Sequence, residues 1–567
     1  MQIKSHAKPL RRKAHNQCLQ WIPNLHPPKF IIHNFSNSLH QKTTMPTLRL
    51  KLPALLLILL APATLLAELS LPHFFSNNMV LQRDREVAIW GKANPGANIT
   101  LNFKGRQVNT WANADGHWRA TINSGPADTN GADFLISNGQ ERTTLENVLV
   151  GEVWLASGQS NMAFAMRSVP AYADIVANST QPNIRMFNAA TVTAIEPQYD
   201  IDGEWTAAGP ATTTGYSAVA YFFAKKLHVE LDIPIGIIKT AWGGKPVETF
   251  TSRDALKTLH GTKKLVDAML KNDSNYDPDA ARKTLERKLS TWDKADAEWR
   301  AKPAKDRGRR PRKPTLAKRP LDTEGQPGVL FNSMIHPFAG YTMQGAIWYQ
   351  GEANAKKGKV PYDLTLPLMI RDWRAHWNDP FYFNSVQLAN FRKPSSEPGT
   401  QDYWALLQDR QRLLLDTTPK TGMAIINDVG EADDIHPKDK KTVGNRLARW
   451  ALAKTYGHNI VASGPLYLSS QANGKAMTVK FQYVGKGLES RDGKALQRFE
   501  IAGADQAWHW ADAKITAPDT VQVSSPKVKK PAAVRYAWAS NPEGANLGNS
   551  EDLPASVFRT DSWNDVE

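Results

Sequence analysis

Five short, nearly continuous apolar runs dominate what this chain can fold into. They are VLVGEVWLAS at 148–157, IPIGIIKTAW at 233–242, QGAIWYQ at 344–350, FYFNSVQLA at 381–389 and MAIINDV at 423–429. Segments with helical periodicity separate them. Ser217 is a good N-cap for a helix whose Val219, Phe222, Phe223, Leu227 and Leu231 form one stripe. Pro361 and Pro437 stand where first-turn prolines belong in two further helices. Apolar strands that do not alternate, interleaved with amphipathic helices, are the pattern of a five-stranded parallel sheet covered on both faces, hence an α/β domain.

The flanks read differently. Before Val148, Ile99, Leu101 and Phe103 alternate with Thr100, Asn102 and Lys104. Trp118, Ala120 and Ile122 repeat the pattern, with turn signals at Asn94–Gly96 and Ala114–Gly116, so 68–147 is expected to be a β domain. Alternation returns after Tyr456 with Met477, Val479, Phe481 and Tyr483, giving a second β domain over 458–567 and an α/β domain over 148–457. Residues of about 254–325 are charged and partly helix-like. They read as an insertion over the sheet edge or site mouth.

The length of 567 residues suits three or four domains, and 41% apolar with 22% charged residues argues against wholesale disorder. The formal charge of +16 is local. Residues 1–67 carry nine Lys/Arg and no acid, and Arg300–Arg319 carry ten against Asp306 alone. No basic face runs through the remainder, so no nucleic-acid partner is expected. Met45 opens MPTLRLK, followed by LPALLLILLAPATLLA, which has the n-region and h-region of a secretory signal over about 45–67. The expectation is a cleaved signal and a secreted or periplasmic protein with no stable membrane anchor. Cys18 is the only cysteine and lies upstream of that signal.

Ligands of an open parallel sheet bind beyond the carboxyl ends of its strands, so the loops after these runs hold the candidates. GQSNM puts Ser160 on a strand-to-helix turn, where free amides can stabilise an oxyanion. WGGKP offers Gly243 and Gly244 for close backbone approach. WYQGEANA clusters Gln350, Glu352 and Asn354, and a glutamine ending a core strand is either a structural bridge or a substrate donor. DVGEADDIHP places Asp433 and Asp434 beside His436, suited to activating a serine hydroxyl. No second His or Cys cluster accompanies them, so no metal or cofactor is expected. Together these loops supply the parts of acyl transfer from an ester.

At these motifs the chain resembles the sialate O-acetylesterase family of SGNH (GDSL-like) hydrolases. The likeness runs through FFSNNMVLQRD, VLVGEVWLASGQSNM, IGIIKTAWGGKPVETF, GVLFNSMIHP, GAIWYQGEANA, DWRAHW, VQLANF, DIHPKDKKTVGNRLA, RYAWASNPEGANL and LPASVFRTD. It implies a flavodoxin-like SGNH domain flanked by β-sandwich-like domains. It also implies Ser160 as nucleophile, His436 as base, and Gly243 or Gly244 with Gln350 as oxyanion donors beside the Ser160 amide. SGNH spacing selects Asp433 as the partner of His436, whereas the DIHP pattern selects Asp434. The implied activity is removal of an O-acetyl group from a sugar, 9-O-acetylated sialic acid first and acetylated xylan or another glycan as the alternative. A sialic acid carboxylate would call for Arg167, Arg392 or the insertion near Arg309. Trp242 and Trp348 are candidates for stacking on sugar, with Glu352 and Asn354 as further substrate contacts. A non-catalytic carbohydrate-binding protein is the competing class.

Overall fold

The computed structural model describes residues 68–563, so the expected signal and Cys18 lie outside the described part. Seven strands make its central sheet: β1 (Arg142–Gly158), β2 (Gln181–Ala189), β3 (Gly203–Ala208), β4 (Ile235–Ala241), β5 (Gly345–Tyr349), β6 (Tyr382–Val386) and β7 (Thr421–Ala424). Their order is β7-β6-β5-β1-β4-β2-β3. Every pair is parallel except the edge pair β2/β3. The architecture is mixed α/β with a large mixed sheet.

The five expected runs are all strands of this sheet, and β2 and β3 are additions to the expected five-stranded parallel sheet. In β2 the run is interrupted by Arg185, only 3% exposed, whose guanidinium donates to the carbonyls of Asn78 and Asn147 at 2.9 and 2.5 Å. A buried, paired cation defeats a reading based on apolar continuity. Ser217 caps the helix Ala218–Leu231 through its Oγ, which accepts from the Ala220 amide. The prolines differ from expectation: Pro361 is the N-cap of Tyr362–Trp377, and Pro437 lies before the helix Lys440–Lys454, which Asp439 caps.

The boundary expected at Val148 falls inside a strand. β1 is 17 residues long, and its first part pairs with Asp128–Ser137 while its last part pairs with β4 and β5. Phe74, Phe75, Trp90 and Phe134 belong to the same buried cluster as Trp154, Phe223 and Trp348. The C-terminal strands instead close around a core of their own. Val479, Phe481 and Val521 from one four-stranded sheet meet Ile501, Val534 and Phe558 from another.

The insertion is built of the helices Arg253–Lys257, His260–Ser274 and Pro278–Ala301 followed by a basic return. The indoles of Trp292 and Trp299 donate to the Pro311 and Gly308 carbonyls, and the Asp296 carboxylate accepts from Arg300 and Arg310. Beyond the return, Glu324 stands 3.6 Å from Lys245 of the WGGKP loop.

Candidate active site

Register creates the site. Gly158 at the end of β1 is aligned with Ala241 of β4 on one side and Tyr349 of β5 on the other, so three loops leave the sheet at one level. Gly158 adopts φ +136°, and a Cβ there would stand 2.2 Å from the Tyr349 carbonyl oxygen. The sharp exit that exposes the next residues therefore requires glycine. Ser160 opens a helix of only four residues, Ser160–Ala163, too short for a macrodipole to matter. Stabilisation of an anion here rests on individual amides.

His436, 276 positions later in the chain, comes to the same point: its Nε2 is 2.9 Å from Ser160 Oγ. Asp434 Oδ1 lies 3.3 Å from the imidazole Nδ1 and also accepts from the His436 amide at 2.8 Å. Asp433 is exposed. Asp434 is the carboxylate facing the ring, and its other oxygen is paired with Lys438 Nζ. Lys438 and the His436 amide hold the Asp434 carboxyl below its ordinary range. Burial pulls the imidazole below its ordinary value against the opposing pull of Asp434, and the Lys440 and Lys438 ammonium groups add to the lowering. A neutral imidazole is the form that accepts a proton.

The glycines separate in their roles. A Cβ on Gly243 would approach Ser160 Cβ to 3.3 Å, whereas Gly244, at φ +71°, faces open space. Gly243 is thus the glycine packed against the serine, and Gly244 shapes the turn.

Gln350 differs from the expected oxyanion donor. Its side chain is fully buried, and three acceptors surround its Nε2: Asn354 Oδ1 at 2.8 Å, Gln159 Oε1 at 3.2 Å and the Lys245 carbonyl at 3.3 Å. Its Oε1 accepts from the Tyr362 hydroxyl at 2.7 Å. An amide has two N–H donors, and both are committed inside the protein. Gln350 is a bridge between loops. Asn354 is likewise internal, accepting from the Val247 amide and donating to Glu248. Glu352 is buried and accepts from Asn161 Nδ2 at 2.6 Å, and burial raises its carboxyl above the usual range. Neither is a free substrate contact. Trp348 is a core residue whose indole donates to Tyr362 at 3.1 Å. Trp242 is half-buried, with Lys245 Nζ 5.4 Å from its ring.

Sequence reasoning passed over Asn161, Lys440 and Phe164. Phe164 stacks on the His436 ring at 5.7 Å, and Asn161 and Lys440 join the three loops beneath the serine. The only sequence signal was proximity: Asn161 follows Ser160, and Lys440 lies four positions after His436.

Comparison with known proteins adds to this geometry. Residues 150–277 match the family described as carbohydrate esterase, sialic acid-specific acetylesterase. The crystal structure of a carbohydrate acetylesterase from Xanthomonas citri is similar, with 33% identity and a TM-score of 0.73, covering 88% of this chain and 100% of that one. The chain belongs to the carbohydrate acetylesterases. Sialate O-acetylesterases of Rattus norvegicus and Homo sapiens are 28% and 27% identical over 86% of this chain, covering 93% and 92% of those proteins. The protein is accordingly an ester hydrolase, and the Ser160/His436 pair lies at the loop cluster where such chemistry is expected.

Proposed function

We propose that this esterase removes O-acetyl groups from carbohydrates through Ser160 and His436. The observation that carries the reading is the 2.9 Å contact between His436 Nε2 and Ser160 Oγ. The imidazole takes the hydroxyl proton, Ser160 Oγ attacks the acetyl carbonyl, and the Ser160 and Gly243 amides face the developing oxyanion. His436 then gives its proton to the sugar oxygen as the ester bond breaks. Water, deprotonated by the same imidazole, attacks the acetyl-serine and releases acetate. Asp434 orients the ring and stabilises its cationic form. The fold reading that goes with this mechanism is a flavodoxin-like SGNH domain with β-sandwich-like flanks. The signal-like segment at 45–67 supports a secreted or periplasmic location.

For the substrate, the sialate O-acetylesterases covered along most of their length support an acetylated sialic acid, and the more similar Xanthomonas citri carbohydrate acetylesterase supports another acetylated glycan. Arg392 is the candidate for a sialic acid carboxylate: it is exposed, and its amide donates to the Ala432 carbonyl in the His436 loop. Two measurements test the proposal. Ser160→Ala and His436→Ala each should lower turnover of p-nitrophenyl acetate by about 10³-fold or more, and near-normal turnover in either refutes the mechanism. Acetate release from 9-O-acetylated sialic acid against acetylated xylan then assigns the substrate. Glycan binding without any acetate release would favour the carbohydrate-binding class instead.

A further inference from the structure

Three loops meet on one side chain beneath the serine. Asn161 is 1% exposed, and its Nδ2 donates to Glu352 Oε1 at 2.6 Å and to the Ile435 carbonyl at 3.0 Å. Its Oδ1 accepts from Lys440 Nζ. One end of Asn161 is thus attached to Ser160 through the chain, and the other holds the residue directly before His436. Both amide hydrogens are used, so the side chain has one orientation.

Two buried ions fix that orientation. Lys440 is fully buried at the start of the helix Lys440–Lys454, and its ammonium lies 4.9 Å from the Phe164 ring and 5.5 Å from the Tyr349 ring. Glu352 is 6% exposed, and among the described residues no side chain besides Asn161 donates to its carboxyl. Burying two charges is costly, and apolar residues of similar volume commonly stabilise a fold as well or better. The arrangement is therefore poorly explained by stability alone, and its location points to the reaction.

We propose that Asn161 is a positioning residue, clamped between Lys440 and Glu352, which fixes the His436 loop to the nucleophile turn and so holds the imidazole within reach of Ser160. This rests on the Ser160/His436 reading above. Lys440 also acts across Phe164, whose ring stacks on His436. The charged groups facing His436 are Asp434, which favours the imidazolium, and Lys440 and Lys438, which oppose it. Those facing Lys440 are Glu352, Asp434 and Glu431, which favour its cation, and Lys438, which opposes it. Burial outweighs them and pushes the ammonium down to about 7. Below that pH Lys440 is charged, in the range where His436 would otherwise begin to protonate.

The experiment uses the full chain and p-nitrophenyl acetate. Lys440→Met, Glu352→Gln and Ser160→Ala are compared in kcat, KM, the pH profile of kcat/KM, thermal midpoint and labelling by a fluorophosphonate. Lys440→Met and Glu352→Gln are each expected to lower kcat about 10-fold or more with KM changed less than about threefold. Lys440→Met should also move the acid limb to higher pH, because the positive charge opposing protonation of His436 is gone. A Lys440→Met enzyme with wild-type kcat and an unmoved acid limb overturns the inference while leaving an inactive, unlabelled Ser160→Ala and the esterase mechanism intact. An active Ser160→Ala overturns the mechanism itself. Should Lys440→Met not fold, Asn161→Asp keeps the size and replaces the donor facing Ile435 and Glu352 with an acceptor. The same loss of kcat is expected, and wild-type kcat would again overturn the inference.

Discussion

Two polar clusters lie under Ser160, and they are built on opposite principles. On the Gln350 side, Gln159, Gln350, Asn354 and Tyr362 are joined to one another by hydrogen bonds between uncharged groups, and a carboxylate, Glu248, enters only at the edge, where it accepts from Asn354. On the Asn161 side, a buried ammonium and a buried carboxyl hold one amide between them. Hydrogen bonds between neutral groups do not change with pH, and they fix where the loops sit. A charged cluster costs stability and makes the site respond to protonation. The difference separates what holds the site together from what tunes it.

The strongest way to break this contrast is Gln350→Leu. It removes one partner each from Gln159, Asn354 and Tyr362, which keep the Ala353 amide, the Val247 amide and the Trp348 indole; at about 1 kcal/mol net for each lost hydrogen bond, a stability loss of about 3 kcal/mol is expected in denaturant titrations. A stable Gln350→Leu protein with lowered kcat alone would return Gln350 to the oxyanion role. Next in size, Asp434→Ala is expected to lower kcat roughly 10²-fold or more, as orienting carboxylates do, with Asp433→Ala within about twofold. The reverse order would make Asp433 the partner of His436.

The pH behaviour sharpens the comparison further. His436 must be neutral to accept a proton, and its value is lowered, so kcat/KM should fall only as the pH drops below the ordinary imidazole value of about 6.5. An acid limb above that value would contradict the charged surroundings. Stability gives the smallest effect. Lys440 is pushed down to about 7, so between pH 7 and its ordinary value the unfolded chain binds a proton that the native protein lacks, and stability rises with pH. Melting curves should show Lys440→Met gaining on wild type as the pH is lowered toward 7, whereas Gln350→Leu should track it at a constant offset.

Much of this was legible before any coordinates. The five apolar runs read as strands because they are shorter than buried helices usually are and end in turn-forming loops. Ser160 and His436 could be singled out because each follows such a run. Three features were not legible. Arg185 disguised β2, since a buried cation satisfied by backbone carbonyls reads as a surface residue. The N-terminal β strands merge with the central sheet through β1, because a strand of 17 residues can pair with different partners along its length. Gln350 looked like a donor because its type and place allow it, and only its neighbours showed that its hydrogens are taken.

By itself, then, the order of residues determined which segments must be buried, which loops follow them and which chemical groups those loops carry. These depend on local hydrophobicity and turn chemistry. Tertiary structure decided which of those groups touch. Whether Asp433 or Asp434 faces the imidazole, whether Gln350 is free to donate, and whether Lys440 meets Asn161 across 279 positions of chain depend on the register of strands and the burial of neighbours. A hydrogen bond is decided within a few tenths of an ångström, and no spacing along a sequence carries that information.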